Sequence, residues 1–110
     1  MIAGLHVVFG AGQIGQRLAV HLHAGGHHVR VVRRSSRGGL PDDVEVRAGD
    51  AMDPAFCRAA ADGATVVYHC LNPPYDTSAW AVQVPRYTEN LIAAAGAAGA
   101  RLVVLENLYM

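Results

Sequence analysis

The chain has 110 residues, of which 52% are hydrophobic and 16% charged, and its formal net charge at pH 7 is zero. That apolar share excludes a disordered tail, and the length suits one domain with a real core. The neutral balance argues against a general nucleic-acid binder, and the apolar stretch 91–100 is too short for a bilayer, which needs about 20 residues.

No basic residue precedes Arg17 and no small-residue cleavage site follows a hydrophobic run, which argues against a secretory signal. Cys57 and Cys70 make neither a disulfide framework nor a metal knuckle, so the expected setting is a reducing, cytoplasmic one. Charge is unevenly spread. Residues 1–41 hold five arginines (Arg17, Arg30, Arg33, Arg34, Arg37) and no acid, while all nine acids lie further on. A basic segment inside one small domain points to a local anion site. The chain has no lysine.

In chain order, residues 5–9 form an apolar, β-branched run that ends at a glycine cluster and reads as a buried strand. From Gln13 to Ala24, Ile14, Leu18 and Leu22 share one helical face, and Gly25-Gly26 stops that helix. Residues 29–32 read as a second strand, 35–43 as a loop and 44–46 as a brief third strand. A short helix over 54–61 has Asp53 as N-cap and Pro54 at its first position. A fourth strand over 65–69 leads into an irregular loop, 72–78. The helix that follows runs to about Ala98, with Trp80, Val84, Tyr87, Leu91, Ala94 and Ala98 on one stripe. Pro85 either kinks it or starts its main segment. Gly99 closes it before a fifth strand, 102–105.

Strands alternating with helices imply an α/β chain with a doubly wound parallel sheet, because parallel neighbours need long, right-handed crossovers. The expected strand order is 3-2-1-4-5. The first helix then covers one face and the later two the other, which leaves strands four and five bare on the first helix's face. Such a sheet is incomplete at its C-terminal side. The chain is therefore expected to be the N-terminal part of a longer protein, or to form homo-oligomers through this edge and face.

Gly10-Ala-Gly12-Gln-Ile-Gly15 is a G-x-G-x-x-G placed directly after a strand and opening an amphipathic helix. Gly10 permits the tight turn, Gly12 lets a pyrophosphate approach the backbone, and Gly15 lets helix and sheet pack closely. Free N–H groups around Gly12, Gln13 and Ile14 would bind the phosphates of a dinucleotide. An NAD-preferring site offers an acid about twenty residues past the first glycine. Here the second strand ends in Arg33-Arg34-Ser35, and the nearest downstream acid is Asp42. A guanidinium there suits the 2′-phosphate of NADP, so NADP is expected ahead of NAD. The same arginines could instead be solvated, or one could stack on adenine without selecting the phosphate.

On these residues the chain resembles the extended and atypical short-chain dehydrogenase/reductase superfamily, the NAD(P)-dependent epimerase/dehydratase group. Further support comes from Gly26-His27, Gly49-Asp50, Thr88-x-Asn90-Leu91 and Arg101-Leu-Val-Val. The G-x-G-x-x-G spacing is that of atypical members. The resemblance implies a Rossmann-like domain in which Asp50, with Ala51 beside it, reaches the adenine. It also implies that the segment containing Cys70 and Asn72 lines the nicotinamide side. Two departures bear on catalysis. The family's serine or threonine after the fifth strand is replaced by Glu106-Asn107-Leu108-Tyr109, and its Tyr-x-x-x-Lys would lie beyond Met110. No catalytic residue is assigned, and Tyr109 is not cast in that role.

His21 and His23 point to nearly opposite sides of a helix and His27-His28 diverge at a strand start, so no metal site is expected. His6 reads as a packed, hydrogen-bonded histidine, and Cys70 as a small buried residue. The expected function is the NADP-binding domain of an epimerase, dehydratase or reductase acting by hydride transfer. Its small-molecule substrate would be held only by a longer parent, and neither nucleic acid nor membrane is expected as partner. The alternative is a non-catalytic NADP(H)-sensing or partner-binding module, which the missing lysine and Glu106-Asn107 favour.

Overall fold

The computed structural model describes residues 4–10, 13–34, 40–70 and 77–104, with backbone only for 13 and 77–84. The elements are β1 (Leu5–Phe9), α1 (Gln13–Ala24), β2 (His28–Arg33), β3 (Glu45–Ala48), α2 (Pro54–Ala60), β4 (Ala64–His69), α3 (Thr77–Ala98) and β5 (Arg101–Val104). All strand pairs are parallel, and the sheet order is β3-β2-β1-β4-β5. The α/β reading and the strand order both hold.

Strand alternation divides the core in two. Val7, Phe9, Val32 and Val67 point to the face covered by α2 and α3, where they meet Cys57, Ala60, Tyr87, Leu91, Ala94 and Ala95. Val8, Val29 and Val31 point to the other face, against Ala19, Leu18 and Leu22 of α1. Completely buried Phe9 and Leu91 each contribute roughly 2–3 kcal/mol by apolar area. The α1 stripe departs from expectation at its first member: Ile14 is 39% exposed, and the packed stripe begins at Leu18.

Element ends also move: β2 runs one residue further at each end, β4 and β5 each start one residue earlier, α2 ends at Ala60, and β3 and α3 shift as follows. β3 begins one residue late, because Val44 is buried in a turn closed by its N–H to Pro41 O (3.1 Å). β3 then continues through Arg47 and Ala48, which pair with Val32 and Arg33. α3 starts at Thr77, so Thr77 and Ser78 are helical rather than loop, and Pro85 lies inside the helix. Beyond the proline the helix is held by its buried Tyr87, Leu91 and Ala94. β5 is described as far as Val104.

α2 is capped at both ends. Asp53 Oδ1 accepts from the Ala55 and Phe56 N–H groups (3.0 and 3.4 Å), with Pro54 next in chain as expected. At the other end Arg30 Nη1 donates to Ala60 O (2.7 Å) and Asp62 O (3.0 Å), and Arg47 Nη1 donates to Ala59 O (3.1 Å). Positive charge at a helix C-terminus is favourable. Arg30 therefore serves α2 and not an anion site, a correction to the simple charge count.

Candidate functional site

The C-terminal ends of four strands meet where the sheet order reverses, the place where open α/β sheets bind ligands. β1 ends at Phe9, and Gly10 takes φ +98°, which glycine alone adopts cheaply. Its N–H donates to Val32 O (2.8 Å), and Cys70 N–H donates to Phe9 O (2.9 Å), joining this turn to β2 and β4. Gly15 stands in the first turn of α1. A Cβ there would land on the Gly10 carbonyl oxygen and lie 3.3 Å from Cys70 Cβ. The turn thus closes on itself only with glycine at 15. The first N–H groups of α1, beginning at Gln13, lack partners within the helix and sit at this end of the sheet. Ile14 lies exposed beside them. Gly12 falls outside the described residues.

At the end of β2, Arg33 is half-buried and Arg34 exposed. Arg33 O accepts from Gly49 N–H (3.0 Å), which ties the turn after β3 to the arginine pair. In that turn Asp50 is exposed and its Oδ1 accepts from Met52 N–H (2.9 Å). Ala51 is buried, so it can offer a ligand backbone but little side chain. A side chain at Gly49 would collide with the Phe56 ring. At the end of β4, His69 is buried and its Nε2 lies 3.2 Å from Thr88 Oγ1. Asn72 and the rest of 71–76, like Glu106, Asn107 and Tyr109, lie outside the described residues.

Eight of the ten expected site residues thus gather at one end of the sheet. Sequence reasoning missed what anchors them. Ala51 O accepts from Asn90 Nδ2 (2.8 Å) and from Cys57 Sγ (3.3 Å). The one available signal was a polar Thr88-x-Asn90 pair interrupting an apolar helix.

The electrostatics speak against thiol chemistry here. Burial, followed by the nearby Asp53 and Asp50 carboxylates, pushes the Cys57 thiol up to about 11. Burial alone pushes Cys70 up to about 11. Both stay protonated at neutral pH and are poor nucleophiles. Apart from His69, a group of histidines lies toward the opposite end of the sheet. His6 Nδ1 shares a hydrogen bond with the Tyr68 hydroxyl (2.8 Å), its ring meets that of His27 edge-on at 4.6 Å, and His23 Nε2 lies 2.8 Å from Asp43 Oδ2. Among the described residues no group of three or more His, Cys, Asp or Glu could hold a metal ion, and no helix is long and apolar enough to cross a membrane.

A family of proteins described as NAD(P)H-binding matches residues 10–108. The chain belongs to it. A search of curated proteins finds no match. Among solved structures, this NAD(P)H-binding chain is similar to a protein of Burkholderia pseudomallei (31% identity, TM-score 0.71, covering 92% of this chain and 47% of that one). It is similar also to WbmG of Bordetella bronchiseptica, solved with NAD (26%, TM-score 0.80, 94% and 37%). Uronate dehydrogenase of Agrobacterium tumefaciens shares the fold (22%, TM-score 0.80, 96% and 41%). The chain spans less than half the length of each. It is an NAD(P)-binding Rossmann domain related to the short-chain dehydrogenase/reductase and epimerase enzymes.

Proposed function

We propose that this domain binds NADP(H) across the ends of β1 to β4 and serves as the cofactor module of an epimerase, dehydratase or reductase. The observation that carries the reading is the closed glycine turn. Gly10 holds a left-handed conformation, and Gly15 is pressed so close to it that no side chain fits. That geometry leaves the N-terminus of α1 at the sheet end with its N–H groups facing a prospective pyrophosphate. Gly10, Gly12, Gln13, Ile14 and Gly15 would hold the phosphates, Asp50 and Ala51 the adenine, and Asn72 the nicotinamide side. The bound cofactor would supply the hydride chemistry, and this chain position and electrostatics. No residue of the chain is assigned to catalysis. The substrate, a small molecule, would be held by a longer parent.

The preference for the phosphorylated cofactor rests on Arg33 and Arg34 alone, since WbmG was solved with NAD. A guanidinium pairs and forks a 2′-phosphate, whereas the nearest downstream acid, Asp42, is eight residues past Arg34. Calorimetric titration with NADPH and NADH tests this. NADPH is expected to bind at least about tenfold tighter, and the Arg33→Ala/Arg34→Ala double variant to remove that difference. Equal affinities in the unsubstituted chain would overturn the NADP assignment, and binding of neither would overturn the whole reading. The same proposal places the protein in the cytoplasm, where its two protonated thiols stay reduced. It also makes the face of β4 and β5 that no described helix covers a candidate self-association surface, which light scattering would detect as a mass above 11.6 kDa.

A further inference from the structure

Two polar side chains of α3 reach back to the ligand-binding end of the sheet, and they go to opposite sides of the point where the strand order reverses. Thr88 meets His69 at the end of β4. Asn90, two residues on and so about 200° round the helix, donates to Ala51 O in the turn after β3. Within that turn Gly49 N–H is bonded to Arg33 O, Met52 N–H to the Asp50 carboxylate and Asp53 N–H to Asp50 O (3.0 Å). The first of these bonds ties the start of the turn to β2, and the two to Asp50 shape its bend, but none of them reaches Ala51, further along the turn. Asn90 and Cys57 hold that part of the turn, by bringing two donors to one buried carbonyl.

We infer that Asn90 is a positioning residue for the adenosine half of the cofactor, acting through the Ala51 carbonyl. The inference rests on the dinucleotide reading and adds to it a residue that would not touch the ligand. In doubly wound sheets the residue at the end of the second strand meets the adenosine ribose, so the adjacent turn after the third borders the same half. A carbonyl oxygen released from its donors would be free to swing toward that half. There it would present negative charge beside the ribose phosphate. With Nδ2 of Asn90 at 2.8 Å and the Cys57 thiol at 3.3 Å, the oxygen faces the interior and the Asp50 carboxylate faces outward. Cys57 can donate because burial keeps its proton on.

The test uses the 110-residue chain with two probes, 2′,5′-ADP for the adenosine half and inorganic pyrophosphate for the glycine turn. Affinities are read by NMR shift titration, with circular dichroism confirming the fold. Asn90→Leu keeps the volume and loses the donor. It is expected to weaken 2′,5′-ADP about tenfold, the effect of a buried acceptor losing the closer of its two donors, and to leave pyrophosphate within about twofold. Asn90→Ser, which restores a short donor, is expected to recover part of the loss. Should Asn90→Leu not fold, Cys57→Ala removes the second donor without touching α3. It is expected to lower 2′,5′-ADP affinity about threefold, whereas Cys57→Ser, still a donor, is expected not to. Unchanged 2′,5′-ADP affinity, or equal loss for both probes, would overturn the positioning role. Failure of the unsubstituted chain to bind either probe would instead overturn the dinucleotide reading, and this inference with it.

Discussion

On one face of the sheet α2 and α3 lie over β1, β4 and β5, whereas on the other α1 lies over β1 and β2 and no described helix continues beyond them. Neighbouring residues of one strand therefore have different fates. Val67 of β4 is completely buried beneath α3, while Val66 and Tyr68, pointing the other way, are half-buried, as is Val103 beside them on β5. All four are large, apolar or aromatic side chains suited to strands. Helix cover, and not side-chain type, decides how much each contributes to stability.

The largest effects should come from the closed face. Leu91→Ala empties a fully buried site and is expected to cost about 3 kcal/mol in urea denaturation. Ile92→Ala, one residue on and 56% exposed, should cost less than about 0.5 kcal/mol. A sharper version compares the faces with one chemistry. Val67→Thr buries a hydroxyl among apolar groups and should cost about 2 kcal/mol, whereas Val103→Thr keeps its hydroxyl near water and should cost less than about 1 kcal/mol. Equal costs would mean the open face is covered in solution, and the comparison would break.

Between these extremes lies Arg30, which belongs to β2 yet serves α2. Arg30→Met keeps the aliphatic stem but removes the donor to Ala60 O and Asp62 O and the 3.0 Å ion pair with Glu45. The expected loss is about 1–2 kcal/mol, the range for a part-buried charged hydrogen bond. Burial pushes Glu45 up, but hydrogen bonds and charge from Arg30 and Arg47 outweigh it and hold its carboxyl below the usual value. Its stabilisation is thus present at neutral pH and lost as pH falls through that lowered value. In Arg30→Met the stability profile below about pH 5 should be flatter; an unchanged profile would exclude the pair as a contributor.

Arg30 also shows where reading the sequence stops. α1 is legible to the residue, since a glycine turn opens it and Gly25-Gly26 ends it. Asp53-Pro54 announces α2, and the alternation of elements carries the strand order. Local patterns of this kind are what periodicity and capping can report. β3 is read as a strand but its far end is not, because Glu45 and Arg47 are polar strand residues made tolerable by each other and by Arg30, fifteen residues before Glu45. The site divides in the same way. Gly10 and Gly15 betray themselves by spacing, but the bond from Asn90 to Ala51 joins residues 39 apart through a backbone carbonyl and leaves no local signature. Ile14 falls outside the packed stripe because a four-residue spacing counts a helix face and does not report how far along the helix that face is covered.

The smallest effect separates the two faces by titration. His6 lies on the open face against Tyr68 and His27, and His69 on the closed face under α3 against Thr88. Burial lowers the affinity of both for a proton, and at His6 the charge of His27 lowers it further. Each is therefore neutral in the fold at a pH where the unfolded chain is already protonated. Stability is complete above the ordinary histidine value, about 6.5, and declines as pH falls through the window beneath it. The urea midpoint should accordingly drop modestly between pH 7.5 and 5.5. His27→Ala removes the neighbouring charge from His6 and leaves His69 untouched. In ring-proton NMR titrations that variant should move the His6 midpoint upward and keep that of His69 in place, because solvent reaches one face and a helix seals the other. If His69 moved as well, the two faces would be coupled through β1 and β4, and the sheet could no longer be treated as two separately packed surfaces.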